Sequence, residues 1–236
     1  MTGSAVDIAA KQVKEKALTT AAYLLEANQQ DLVLANGRIH VSGSPSGPSV
    51  TLGEVAIVRR SRPDLGEADL SAEGLFEADH MTYPYGLHAA VVAVDTETGG
   101  VNVERYVVAY DVGRAINPEL VEGQLVGAAA QGLGGALLEE FLYDKLGQPL
   151  VTSFMDYLMP TFAEIPPIEV LLSQDAPSPL NPLGVKGAGE GDITAVGAAI
   201  ANAIADALQI PSEVTTIPLS PAVIRQLIAA QPSSLP

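Results

Sequence analysis

Cysteine and tryptophan are absent from the 236 residues, aromatic side chains make up only 5%, and 12 Lys and Arg face 28 Asp and Glu. Without cysteine the chain holds no disulfide, no thiolate zinc site and no iron–sulfur cluster of its own. Any redox chemistry must use a cofactor held without cysteine, or sit on a partner chain. A net charge of −16 excludes the basic footprint that phosphate backbones require, so nucleic acid is not an expected partner. The first residues carry no basic segment leading into a long apolar run, so no targeting signal is expected. The most apolar stretch, 193–208, is built mainly from small residues and is short for a bilayer, so no membrane span is expected. These absences point to a soluble, cytoplasmic protein. What is present is apolar. With 47% hydrophobic residues the chain is able to bury a core, which excludes a disordered acidic tail.

Charge is unevenly spread: residues 1–64 are close to neutral, and nearly all of the acidic excess follows. The polar run 59–64 (RRSRPD) ends in a turn dipeptide. It places a boundary within 59–72 and divides the chain into a segment 1–64 and a segment 65–236. In the first segment Val6, Val13, Ala17 and Leu24 recur at helical spacing, which predicts a helix over 5–27, with Ser4 and Asp7 in capping-box positions. Asn36-Gly37 between the runs 31–34 and 38–41 predicts a tight hairpin. A Ser/Pro/Gly loop over 42–49 then leads into a short helix containing Val55 and Ile57.

In the second segment strands are expected at 75–82, 88–95, 101–111 and 168–174, with 88–95 and 101–111 joined as a hairpin by TETGG at 96–100. Helices are expected at 118–143, with Pro118 near its first turn, at 193–208 and at 221–230. Hairpins mixed with helices, without regular βαβ alternation, predict an α+β fold of mixed sheets and packed helices.

Two glycine-rich stretches are the candidates for chemistry. In GVKGAGEGD (184–192) the glycines permit close approach of a ligand, and a helix is expected to start just after them. Glu190 stands immediately before that start, where the helix field favours a carboxylate. It is either a capping acid or a general base. Lys186 is either an anion ligand or the partner of Glu190 or Asp192. Around it, Gly187, Ala188 and Gly189 offer backbone groups to a ligand. The second stretch, 122–135, places Gly123, Gly127, Gly132, Gly134 and Gly135 in an expected helix, each at a cost of about 1 kcal/mol relative to Ala. Helix packing and ligand approach both explain such a face. Gln131, and with it Gln124, are the polar side chains able to donate and accept there. No Gly-Lys-Ser/Thr is present, so this is not a P-loop. His40, His80 and His88 lack metal-ligand spacing, and Asp111, Arg114 and Asn117 read as turn or capping residues.

The runs DVGRAINP (111–118), VEGQLVGAAAQGLG (121–134), LEE (138–140), SFMDY (153–157) and SPLNPLGVKGAGEG (178–191) together resemble the molybdenum-binding subunit of the xanthine dehydrogenase/aldehyde oxidase family. The wording is most similar to its bacterial carbon monoxide dehydrogenase large-subunit branch. The resemblance covers nearly the whole chain, and about the C-terminal third of a full family subunit. It implies the α+β molybdopterin-binding fold. It also implies a molybdenum ion held by a pterin cofactor, in bacteria the cytosine dinucleotide form, with no protein ligand to the metal. Glu190 matches the family's catalytic glutamate, which takes the proton as oxygen attacks an electron-poor carbon. Gln131 matches a pterin-contacting glutamine. Gln124, Gly132, Gly134, Lys186, Gly187, Ala188 and Gly189 fall in the matching cofactor-binding runs. The implied activity is oxidative hydroxylation of an aldehyde, purine, N-heterocycle or carbon monoxide by a subunit inactive alone. Its implied partners are the remaining portion of the molybdenum subunit and chains carrying iron–sulfur clusters and FAD. The competing expectation is a truncated, non-catalytic fragment that folds or oligomerises without cofactor.

Overall fold

Asn36 and Gly37 adopt positive φ angles of 50° and 73°, the backbone that a two-residue hairpin turn demands. They join β1 (Leu32–Ala35) to β2 (Arg38–Val41), and β3 (Ser49–Thr51) adds to β2 in an antiparallel three-stranded sheet. Helix α1 (Thr2–Leu25) and helix α2 (Leu52–Ser61) cover it. The computed structural model describes residues 1–210 and 214–231, and the side chain of Glu190 lies outside the described residues.

The chain forms two compact units, and the first comprises residues 1–80 with 180–183. Its core is Ala17, Ala21, Leu32, Ile39 and Val55. Buried Arg59 donates to the Thr20 hydroxyl at 2.9 Å and to the Lys16 carbonyl at 3.1 Å. Thr51 and Glu54 close a capping box on α2. The capping box expected at Ser4 and Asp7 does not form. Helix α1 begins one turn earlier, Ser4 is buried within it, and Asp7 pairs with Lys11 instead. The division between units falls after His80 rather than at 64. The segment beyond α2 runs back along α1, where Lys16 holds the Ser71 carbonyl at 2.8 Å. At Gly74 a Cβ would stand 2.0 Å from the Ala5 carbonyl oxygen, so only glycine fits. The strand expected at 75–82 is absent, because that segment has no neighbouring strand to pair with.

The second unit comprises residues 81–179 and 184–236. Strands β4 (Tyr85–Val94) and β5 (Val101–Asp111) form the expected hairpin, and β6 (Ile168–Ser173) joins β5 in parallel. The register shift between Val91 and Val92 inserts Glu104 as a bulge. This is why the buried phase of β5 passes from Val103 to Tyr106, Val108 and Tyr110. Helix α3 (Pro118–Leu137), helix α4 (Gly189–Leu208) and helix α5 (Pro221–Ala230) pack on this sheet. Helix α3 ends at Leu137, not 143. The Leu138 and Glu139 amides both turn back to the Gly134 carbonyl, at the point where two consecutive glycines weaken the helix. Helix α4 is long and apolar enough to cross a bilayer by length and composition. Here Val196, Ile200, Ile204 and Leu208, spaced four apart, are buried in the core of this unit. Each unit pairs a three-stranded sheet, antiparallel in the first and mixed in the second, with helices, which gives the expected α+β class.

Candidate functional site

Asn117 accepts from the Leu120 amide at 3.1 Å and caps α3, with Pro118 at its first position. The helix then presents Gln124 and Gln131 on its exposed side. Its glycines divide into two kinds. At Gly132 a Cβ would meet the Val196 Cβ and Cγ2 at 2.5 Å, and at Gly134 it would meet the Glu139 Oε1 at 2.3 Å. These two serve packing. At Gly123, Gly127 and Gly135 a Cβ would meet nothing within 4 Å. Their smallness answers no neighbour among the described residues.

Gln131, Gly132 and Gly135 of α3 line a cleft of about 570 Å³ with Ile193, Thr194 and Gly197 of α4. The start of α4 is tied to α3 as well. A Cβ on Gly189 would lie 3.0 Å from the Gln124 Oε1. Sequence spacing places Glu190 just before the helix. The structure begins α4 at Gly189, so the Glu190 backbone lies in its first turn. Gly187 has open space around its Cα.

The strap before α4 is pinned to the end of β5. The Lys186 amide donates to the Val112 carbonyl at 2.8 Å, and the Arg114 amide donates to the Gly184 carbonyl at 2.9 Å. Gly113 (φ 63°) makes this possible, since a Cβ there would stand 2.2 Å from the Gly184 oxygen. Among the described side chains, Lys186 pairs with Asp111 rather than Asp192, Nζ to Oδ2 at 3.0 Å, and it sits 5.1 Å from the Tyr85 ring centroid. Burial pushes the Asp111 carboxyl up, but the Gly113 amide and the Lys186 ammonium outweigh it and hold the group below its usual value. A carboxyl with a lowered folded-state pKa stabilises the fold above its unfolded pKa, and the contribution fades as pH falls through the folded value. Asp111→Asn should therefore cost about 1–3 kcal/mol at neutral pH. Its urea midpoint should converge on that of the parent as the pH is lowered through the carboxyl's folded-state value.

Sequence reasoning passed over one cluster. Asp192, the fourth residue of α4, is fully buried. Its Oδ1 lies 3.0 Å from His88 Nε2 on β4, at ion-pair distance though without hydrogen-bond alignment. His88 Nδ1 lies 2.8 Å from the Tyr106 hydroxyl. A Gly-Asp pair in a glycine-rich loop gives no signal of burial, and a lone strand histidine gives none of its partner.

The sequence profile of the molybdopterin cofactor-binding domain family matches residues 1–166. The chain belongs to that family. Among relatives of this molybdopterin-binding chain is the gamma subunit of the 6-hydroxypseudooxynicotine dehydrogenase complex of Paenarthrobacter nicotinovorans. It is 42% identical over 94% of this chain and 28% of its own length. The carbon monoxide dehydrogenase large chain of Afipia carboxidovorans is 34% identical over 87% of this chain and 25% of its own. Among solved structures, a Cu,Mo-containing CO dehydrogenase superposes with a TM-score of 0.86 at 31% identity, over 96% of this chain and 29% of that one. Quinoline 2-oxidoreductase from Pseudomonas putida 86 superposes with a TM-score of 0.83 at 36% identity, over 93% and 28%. The chain thus spans a little over a quarter of the length of these proteins. The family resemblance and the fold class read from the sequence are borne out.

Proposed function

We propose that this chain is the C-terminal part of a molybdenum hydroxylase subunit and supplies its general base. The observation that carries the reading is the cleft between α3 and α4, lined by Gln131 and by α4 from Ile193 onward, together with the close approach of Gly189 in the first turn of α4 to Gln124 of α3. The residues present suit a pterin dinucleotide. Free backbone N–H groups at a helix start favour an anionic group, the Gln124 and Gln131 amides donate and accept, and Gly135 and Gly187 leave room for close approach. Gln131 and Gln124 would line the cofactor from α3, with Gly132 at the cleft edge and Lys186, Gly187, Ala188 and Gly189 lining it from the strap, whereas Gly134 is taken up by Glu139 and Pro160 and drops out of the set. When bound, a molybdenum pterin, in its cytosine dinucleotide form, supplies the two-electron redox chemistry that hydroxylates an electron-poor carbon. Glu190 takes up the proton that this reaction releases. The partial positive charge at the start of α4 favours its ionised form, the one a base requires.

The substrate is a small molecule of the aldehyde, purine, N-heterocycle or carbon monoxide class. The names of the relatives span oxynicotine, quinoline and carbon monoxide substrates. Iron–sulfur and FAD chains are the proposed electron acceptors. A run of exposed apolar side chains supports a covering partner, here the remaining portion of the subunit: Phe141, Leu146, Phe154, Met155 and Phe162 are all more than half exposed. Co-expression with that remaining portion, followed by metal and pterin analysis of the purified complex, tests the proposal. One molybdenum and one pterin per complex are expected. A stable complex with neither would overturn it in favour of a non-catalytic fragment.

A further inference from the structure

We propose that Asp192 and His88 are positioning residues, a buried brace that fixes the backbone of the Glu190 turn against the sheet. Each neighbour of Glu190 is held by a different element. Gly189 abuts the Gln124 amide of α3. Gly191 abuts Tyr110 of β5 so closely that a Cβ would stand 2.1 Å from the phenol oxygen. Asp192 faces His88 of β4 at 3.0 Å, and both side chains are shielded from solvent. Tyr106, fully buried on β5, holds the other ring nitrogen of His88 at 2.8 Å and meets the ring edge-on, with centroids 5.8 Å apart.

The chemistry of the cluster argues against a purely packing role. A fully buried carboxylate without aligned hydrogen bonds costs several kcal/mol, and an apolar side chain of similar size would fill the space more cheaply. The Asp192 oxygens, His88 Nε2 and the Tyr110 hydroxyl all lack hydrogen-bond partners among the described residues. Four such atoms gathered in the two residues after Glu190 and their contacts mark a constraint other than stability. Burial, with the Asp192 charge second, pushes the Tyr110 phenol up to about 12, so it remains a neutral hydroxyl against Gly191. What the brace secures is geometry. A base displaced by about 1 Å loses on the order of 10²-fold in rate.

The inference rests on Glu190 being the base, and its test separates the two. In the 236-residue chain, Asp192→Asn should speed exchange of the Ile193, Thr194 and Ala195 amides, which bond to the carbonyls of Gly189, Glu190 and Gly191, by at least tenfold. Amides from Ala201 to Leu208 should stay unchanged. In the assembled enzyme the same variant should lower kcat about 10–100-fold with KM and molybdenum content unchanged. His88→Gln keeps a donor near the Nε2 position and should restore most of the rate, whereas His88→Leu should not. Unchanged exchange in the first turn, or a kcat within twofold of the parent for Asp192→Asn, would overturn the brace. If Asp192→Asn does not fold, the Gln and Leu variants at His88 decide, and equal rates for the two overturn it. An active Glu190→Gln enzyme would remove the base assignment, while the exchange measurement still judges the brace on its own.

Discussion

Glutamine at position 190 should leave the molybdenum and pterin content of the assembled enzyme unchanged and lower kcat by about 10²–10⁴-fold. That is a loss of about 3–5 kcal/mol of transition-state stabilisation. Glutamine keeps the size and much of the helix propensity of glutamate at the second position of α4, so the turn should form as before. What disappears is the proton acceptor. A group needed only in the reaction step changes kcat and leaves KM alone. Steady-state kinetics alongside metal analysis of the same sample checks this, and a rate within tenfold of the parent would reassign Glu190 to capping.

Gly132→Ala should loosen the contact between α3 and α4. The added Cβ would meet the Val196 Cβ and Cγ2 at 2.5 Å and Cγ1 at 2.9 Å, and overpacking of this kind costs about 1–3 kcal/mol. Alanine's better helix propensity returns about 1 kcal/mol, so the net loss is smaller than the clash. Gly123→Ala and Gly127→Ala carry the same propensity gain and meet nothing within 4 Å. They should stabilise the isolated chain by up to about 1 kcal/mol. Opposite signs in thermal or denaturant unfolding would separate glycines kept for packing from those kept for an approaching group.

Much of the fold was legible because its signals are local. Asn36-Gly37 adopts the positive φ pair its hairpin needs, Asn117-Pro118 starts α3, and the last helix runs over 221–230 as its spacing implies. The site was legible in part. Gln131 and Gly132 do meet α4 at one cleft, from Ile193 onward, and Gln124 meets Gly189. What stayed hidden depends on contacts far apart in sequence. Lys186 finds Asp111 across 75 residues, and Asp192 turns inward to a histidine on another element. Local pattern also misplaced ends. The apolar period continues past Leu137, but α3 stops at its paired glycines, and α4 extends back through glycines that read as loop.

The parallel pairing of β5 with β6 sets an order of events in folding. Residues 112–167, which include α3, lie between the two strands, so their ends must meet before that edge of the sheet exists. Closing a loop of that length costs entropy before any contact compensates for it, and parallel pairings of this range are slow. The β4–β5 hairpin carries no such burden and is the natural early structure. Helix α4 follows β6 along the chain and packs on both α3 and β4. The cleft beside Gln131 is therefore a late product of folding. A cofactor that needs both walls would meet a sheet already assembled.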